Sequence, residues 1–85
     1  MLTRDEILTK LKEIFLQMDP TKKDIIDSLS FDSRLREDLG LMSVSMLYMV
    51  IAIEETFGIE FSNLGVEDFL TVGQTIDYIE EKLKG

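Results

Sequence analysis

The chain has no cysteine and no histidine, a single proline, and 9 basic residues against 17 acidic ones. Without cysteine, no thiolate nucleophile, disulfide or thiolate zinc site can be built, and without histidine there is no imidazole base. Catalysis would fall to carboxylates and serines, and Asp38, Glu54 and Glu55 read more simply as solvated surface charge. The chain is therefore not read as an enzyme. One proline and five scattered glycines leave no linker or low-complexity stretch, and no internal repeat is present. Thr3-Arg4-Asp5-Glu6 places charge where a signal peptide would carry an apolar run. The uncharged run that ends at Ile53 is too short to span a bilayer. Lack of cysteine is neutral about compartment; lack of a targeting segment makes the cytoplasm the expected location.

Eighty-five residues make one small domain, expected to run from 1 to 85. Its 45% apolar content suits a globular core, and 31% charged residues suit a soluble surface. The net charge of −8 is unevenly placed. Residues 1–42 carry seven basic and nine acidic groups, for −2, and residues 43–85 carry two and eight, for −6. A phosphate backbone needs a basic stripe, so nucleic acid is an unsuitable partner, and no membrane partner is expected. The acidity instead favours partners with basic patches, at a range set by screening of about 8 Å at physiological salt.

Three helices can be read from spacing. Thr3 and Glu6 form a capping box, and Ile7, Leu8, Leu11, Ile14, Phe15 and Met18 make one apolar stripe. The first helix should run from Thr3 to Met18, stopped by Asp19-Pro20. Between Pro20 and Met42 the period weakens, which predicts a long loop anchored by Ile25, Ile26, Leu29, Phe31, Leu35 and Leu39, with a helical turn near Ser33 to Glu37. The second helix should begin at Ser43 and end near Phe57, with Gly58 as its terminal glycine. Ile59-Glu60-Phe61 reads as an extended connection, and Val66 to Leu70 as one short helical turn with Phe69 in the core. Thr71 and Gln74 form a second capping box, and Val72, Ile76, Ile79 and Leu83 give the last helix its inward stripe. The expected fold is all-α: a small four-helix bundle of three main helices and one short one, with a long loop between the first two.

Helical spacing puts Met46, Met49, Val50, Ile53 and Phe57 on one arc of the second helix, assigned to the core. Val44, Tyr48, Ile51 and Glu55 fall on the opposite arc, where three of four members are apolar or aromatic. Either the helix is buried on both sides or this arc is a docking surface. Just before it lies Asp38-Leu39-Gly40-Leu41-Met42-Ser43. Gly40 signals a turn, and Ser43 is a good N-cap, worth about 1 kcal/mol. The same serine presents a hydroxyl at the positive end of a helix, where a phosphate would be favoured.

Asp38-Leu39-Gly40, two residues, a serine and then a hydrophobic helix resembles the acyl carrier proteins. The likeness continues through Ile53-Glu54-Glu55-Thr56-Phe57-Gly58-Ile59-Glu60-Phe61 and Thr71-Val72-Gly73-Gln74-Thr75-Ile76-Asp77-Tyr78-Ile79, covering about residues 3 to 83. The resemblance implies that Ser43 carries 4′-phosphopantetheine, delivered covalently from coenzyme A by a phosphopantetheinyl transferase using Mg²⁺. It implies a carrier that delivers thioester-bound acyl groups to acyl-transferring and synthase enzymes of fatty-acid, polyketide or related biosynthesis. Such a carrier borrows the nucleophile that its own sequence lacks. The implied acyl cavity would be lined by Met46, Val50, Ile53, Phe57 and Ile76, and the docking surface by Val44, Tyr48, Ile51, Glu54 and Glu55. A monomer is expected, with no metal site of its own.

The sequence departs from the family pattern in two ways. Met42 stands where the family usually has Asp, and Ser45 and Tyr48 stand where it places acids early in the helix. Electrostatic docking beside the serine is thereby weakened, which brings in a specialised stand-alone carrier of aminoacyl or peptidyl type as an alternative. A helical interaction module that is never modified is a second. A calcium-binding loop fails on residue identity, since from Asp19 the third, fifth and sixth positions are Thr21, Lys23 and Asp24.

Overall fold

The computed structural model describes residues 2–61 and 70–84. Among them are four α-helices: α1 (Arg4–Met18), α2 (Lys23–Asp27), α3 (Ser43–Phe57) and α4 (Val72–Leu83). The described residues hold no strand, only one isolated antiparallel bridge between Arg34 and Thr71. α1 is the common partner, packing against α2, α3 and α4. The all-α bundle with a long first loop is the architecture the apolar spacing predicts. The turn expected over Val66 to Leu70, with Phe69 in the core, lies outside the described residues except for Leu70. That residue is exposed and not helical.

Both capping boxes form. Thr3 Oγ1 accepts from Glu6 N–H at 3.1 Å, and the Glu6 carboxylate accepts from Thr3 N–H at 2.8 Å. Thr71 and Gln74 repeat the arrangement at the start of α4. Asp19 ends α1, and its carboxylate then accepts from Thr21 N–H, opening a single 3₁₀ turn over Pro20–Lys22 that leads into α2. The sequence gives no periodic sign of α2 because five residues make less than two turns. Gly58, at φ 68°, closes α3 in the left-handed conformation.

The core takes Ile7, Leu11, Ile14 and Phe15 from α1, Met46, Met49 and Ile53 from α3, and Val72, Ile76 and Ile79 from α4. Ile26, Leu29, Leu35, Leu39 and Leu41 of the long loop complete it. Leu8, Met18, Phe31, Val50, Phe57 and Leu83 are half-buried at its edge. Ile25 is a correction: it is exposed, because α2 turns Ile26 inward and adjacent residues on a helix face different ways. The turn expected near Ser33 to Glu37 is present as main-chain bonds from Asp38 N–H to Arg34 O and from Gly40 N–H to Arg36 O, without continuing into a helix.

The long loop is held by the start of α4. Val72 N–H donates to Ser33 O at 2.9 Å and Gly73 N–H to Phe31 O at 2.8 Å, while Leu35 N–H donates to Leu70 O at 3.1 Å. Arg4 adds a side-chain tie: Nη1 donates to Asp77 at 2.6 Å and also to Glu80, and its guanidinium lies 5.1 Å above the Phe31 ring. Exposed pairs of this kind contribute at most about 1 kcal/mol, so the backbone bonds dominate the seam.

Two expectations follow. A Cβ on Gly73 would stand 2.8 Å from the Phe31 carbonyl oxygen, which is backbone and is already the acceptor of Gly73 N–H. Alanine's helix preference of about 1 kcal/mol is outweighed by this overpacking, and Gly73→Ala should cost a net ~1–2 kcal/mol in urea denaturation. The bond from Thr3 N–H holds the Glu6 carboxyl below its ordinary pKa. Its contribution is complete above the unfolded-state pKa and disappears as pH falls through the lower folded value. Glu6→Gln should therefore flatten the decline in urea midpoint between about pH 5 and pH 3 relative to wild type.

Candidate functional site

The approach to α3 is a clamped turn. Gly40 has φ 69°, its N–H donates to Arg36 O at 2.8 Å, and Leu41 N–H donates to Leu35 O at 3.1 Å. Lys22 Nζ donates to Leu39 O at 2.6 Å and lies 2.8 Å from where a Gly40 Cβ would be, so the turn is closed over by this side chain. The chain leaves extended at Met42 (φ −120°, ψ −178°) and becomes helical at Ser43.

Ser43 is therefore the first helical residue, and Met42 is the N-cap, with no side-chain cap hydrogen bond. This corrects the expectation that Ser43 itself would cap α3. The Met42 carbonyl accepts the first helical bond, from Met46 N–H at 2.7 Å, but a thioether cannot replace a capping hydroxyl. The N–H groups of Ser43, Val44 and Ser45 consequently make no hydrogen bond among the described residues. The other long helices are closed: α1 by its capping box, and α4 by its box and by the carbonyls of Phe31 and Ser33. Ser43 is exposed, and the first turn of α3 contains no acid.

An open cavity of about 350 Å³ adjoins the serine, lined by Arg36, Gly40, Leu41, Met42 and Ser43. The nearby acids are occupied elsewhere. The Asp38 carboxylate accepts from Arg34 N–H at 2.7 Å, and the Glu37 carboxylate pairs with the Arg34 guanidinium at 3.3 Å. An accessible hydroxyl, unclaimed N–H donors, the positive helix end and no carboxylate in the turn suit a phosphate ester linked through Ser43.

Val44, Tyr48 and Ile51 are 76%, 68% and 55% exposed, and Glu55 is exposed beside them. The alternative of a helix buried on both sides is thus removed. Leu47, 55% exposed, extends the same face, and Met42, 72% exposed, precedes it at the N-cap. Leu47 was discoverable from spacing, three residues after Val44 and four before Ile51. Glu54 stands apart from this face: it is half-buried, and its carboxylate accepts from Phe61 N–H at 2.9 Å, holding the connection after α3. Of the acyl-cavity candidates, Met46, Ile53 and Ile76 are buried, while Val50 and Phe57 are half-buried against the core. A partly open cavity of about 20 Å³ lies between α1 and the loop, lined by Phe15, Met18, Asp19, Lys22, Ile26, Leu39 and Leu41, and none of the five candidates lines it.

Residues 9–79 match the family model described as phosphopantetheine attachment site. An acyl carrier protein of Thermotoga maritima is 32% identical over 84 residues, covering 98% of this chain and 99% of that protein. One from Acidothermus cellulolyticus is 39% identical over 80 residues, covering 92% and 89%. A mitochondrial acyl carrier protein of Saccharomyces cerevisiae is 30% identical over 79 residues, and the matched region covers 92% of this chain and 63% of that protein. The matched family model and the helical fold place the chain among the small domains that attach phosphopantetheine. The chain belongs to the acyl carrier protein family. It is a carrier and not an enzyme, and phosphopantetheine is the group its family attaches.

The two faces of α3 should respond differently to truncation. Ile51→Ser should leave the unfolding free energy within about 0.5 kcal/mol of wild type, whereas Met49→Ala in the core should cost ~2–5 kcal/mol in the same denaturation assay.

Proposed function

We propose that Ser43 bears 4′-phosphopantetheine and that the chain carries acyl groups between enzymes of fatty-acid, polyketide or related biosynthesis. The observation that supports this most is a long helix whose first N–H groups are unclaimed among the described residues, beginning at an exposed serine. In the loading reaction the Ser43 oxygen forms a bond to the phosphorus of coenzyme A next to its pantetheine. The pyrophosphate P–O bond breaks, 3′,5′-ADP leaves, and the hydroxyl proton passes to a base of the Mg²⁺-dependent transferase. When bound, the group supplies the thiol that holds an acyl chain as a thioester.

The chain's own part is to present and to be recognised. Gly40 and Lys22 hold the turn, so Ser43 is offered at a fixed place rather than on a mobile loop. Met42, Val44, Leu47, Tyr48, Ile51 and Glu55 form the surface offered to partners. Its apolar character favours partner enzymes with apolar docking patches, with basic ones drawn by the −8 charge. For a sheltered acyl chain we assign Met46, Val50, Ile53, Phe57 and Ile76, where methionine's flexibility allows repacking around a guest. The missing acid in the first turn of α3 favours a second reading within the same chemistry, a dedicated aminoacyl or peptidyl carrier.

Incubation with coenzyme A, Mg²⁺ and a broad-specificity transferase should raise the intact mass by one phosphopantetheine, about 340 Da. Ser43→Ala should abolish the increase and Ser45→Ala should retain it. An unchanged wild-type mass across several transferases would instead favour an unmodified helical interaction module.

A further inference from the structure

We propose that Arg36 is the cation that receives the phosphate of the group carried at Ser43; this rests on the attachment reading above. Arg36 and Ser43 line the same open cavity, with only Gly40, Leu41 and Met42 between them on its wall. The chain has three arginines. Arg4 is paired with Asp77 and Glu80, and Arg34 with Glu37. Arg36 has no carboxylate partner among the described residues, although two acids follow it directly in sequence. Those two are drawn to Arg34: Glu37 by its guanidinium and Asp38 by its N–H. Arg36 thus carries a charge with no carboxylate partner among the described residues, and it lines the cavity that Ser43 also lines.

Its position is also fixed at the backbone. Arg36 O accepts from Gly40 N–H, and the turn is closed by Leu41 N–H on Leu35 O and by Lys22 on Leu39 O. Met42, next to the serine, is uncharged and the first turn of α3 holds no acid, so no carboxylate there competes for the guanidinium. A phosphodiester carries one full negative charge, and the planar fork of an arginine matches two phosphate oxygens. Arg36 is a positioning residue in this scheme: the N–H groups of α3 meet the phosphate from the helix side and Arg36 from the turn side, restricting how the arm leaves the protein.

The test uses the ¹⁵N-labelled full chain, unloaded and loaded, with loading verified first by intact mass. The Nε–Hε resonance of Arg36 should shift on loading and that of Arg34 should not, and raising salt should shrink the Arg36 shift. In Arg36→Gln the loading-induced shifts at the Ser43, Val44 and Ser45 amides should be reduced, with part regained in Arg36→Lys. The unloaded spectrum of each variant, matched to wild type elsewhere, shows that the fold is intact. An Arg36 resonance identical before and after loading overturns the proposal, as do wild-type amide shifts in Arg36→Gln. A chain that gains no mass at all overturns the Ser43 reading, and this one with it, so the two failures are told apart before any spectrum is recorded.

Discussion

The first two N–H groups of α4 belong to the long loop: Val72 gives its proton to Ser33 O and Gly73 to Phe31 O. Each such bond contributes about 1 kcal/mol net, yet leaving either donor buried and unmatched would cost ~1–3 kcal/mol, so the loop cannot drift away from α4 without penalty. That constraint places Leu35, Leu39 and Leu41 in the core and brings the chain to Gly40 in a single geometry. The serine at the head of α3 inherits its position from bonds made at the head of a different helix. The same bonds close α4, which leaves α3 as the long helix with an open positive end among the described residues.

Much of this was legible in the sequence. The two capping boxes, the stop at Asp19-Pro20 and the glycine after Phe57 are local devices, decided within four residues of themselves, and each is found where its residues predict. What was not legible depends on distant partners. The cap of α3 falls at Met42 rather than Ser43, after a turn that Lys22 holds through Leu39 O, seventeen residues away in sequence. Glu54 reads as surface charge until Phe61 N–H is found on it. Ile25 and Ile26 are equally apolar, and only the placement of α2 decides which is covered. Arg36 is unremarkable in sequence, since only the structure shows that Glu37 and Asp38 bond to Arg34 rather than to it.

The proposed attachment end and the proposed recognition face follow different physics. Around Ser43 the chain presents a hydroxyl, backbone donors and a nearby cation, all suited to a phosphate. One turn further on it presents Leu47, Tyr48 and Ile51, suited to an apolar surface. The first turn of α3 carries no acid, so the docking proposed for this face would rely on area removed from water more than on charge, which salt screens.

An uncovered apolar row on a molecule this small invites unwanted adhesion between copies. The counterweight is the surplus of eight negative charges, which gives a dilute population of these molecules a mutual repulsion reaching roughly 8 Å in physiological salt. The acidity acts in this sense as a colloidal coat: it keeps like molecules at arm's length, while a partner bearing opposite charge passes through it. The row can stay bare because of charge carried mostly elsewhere on the molecule.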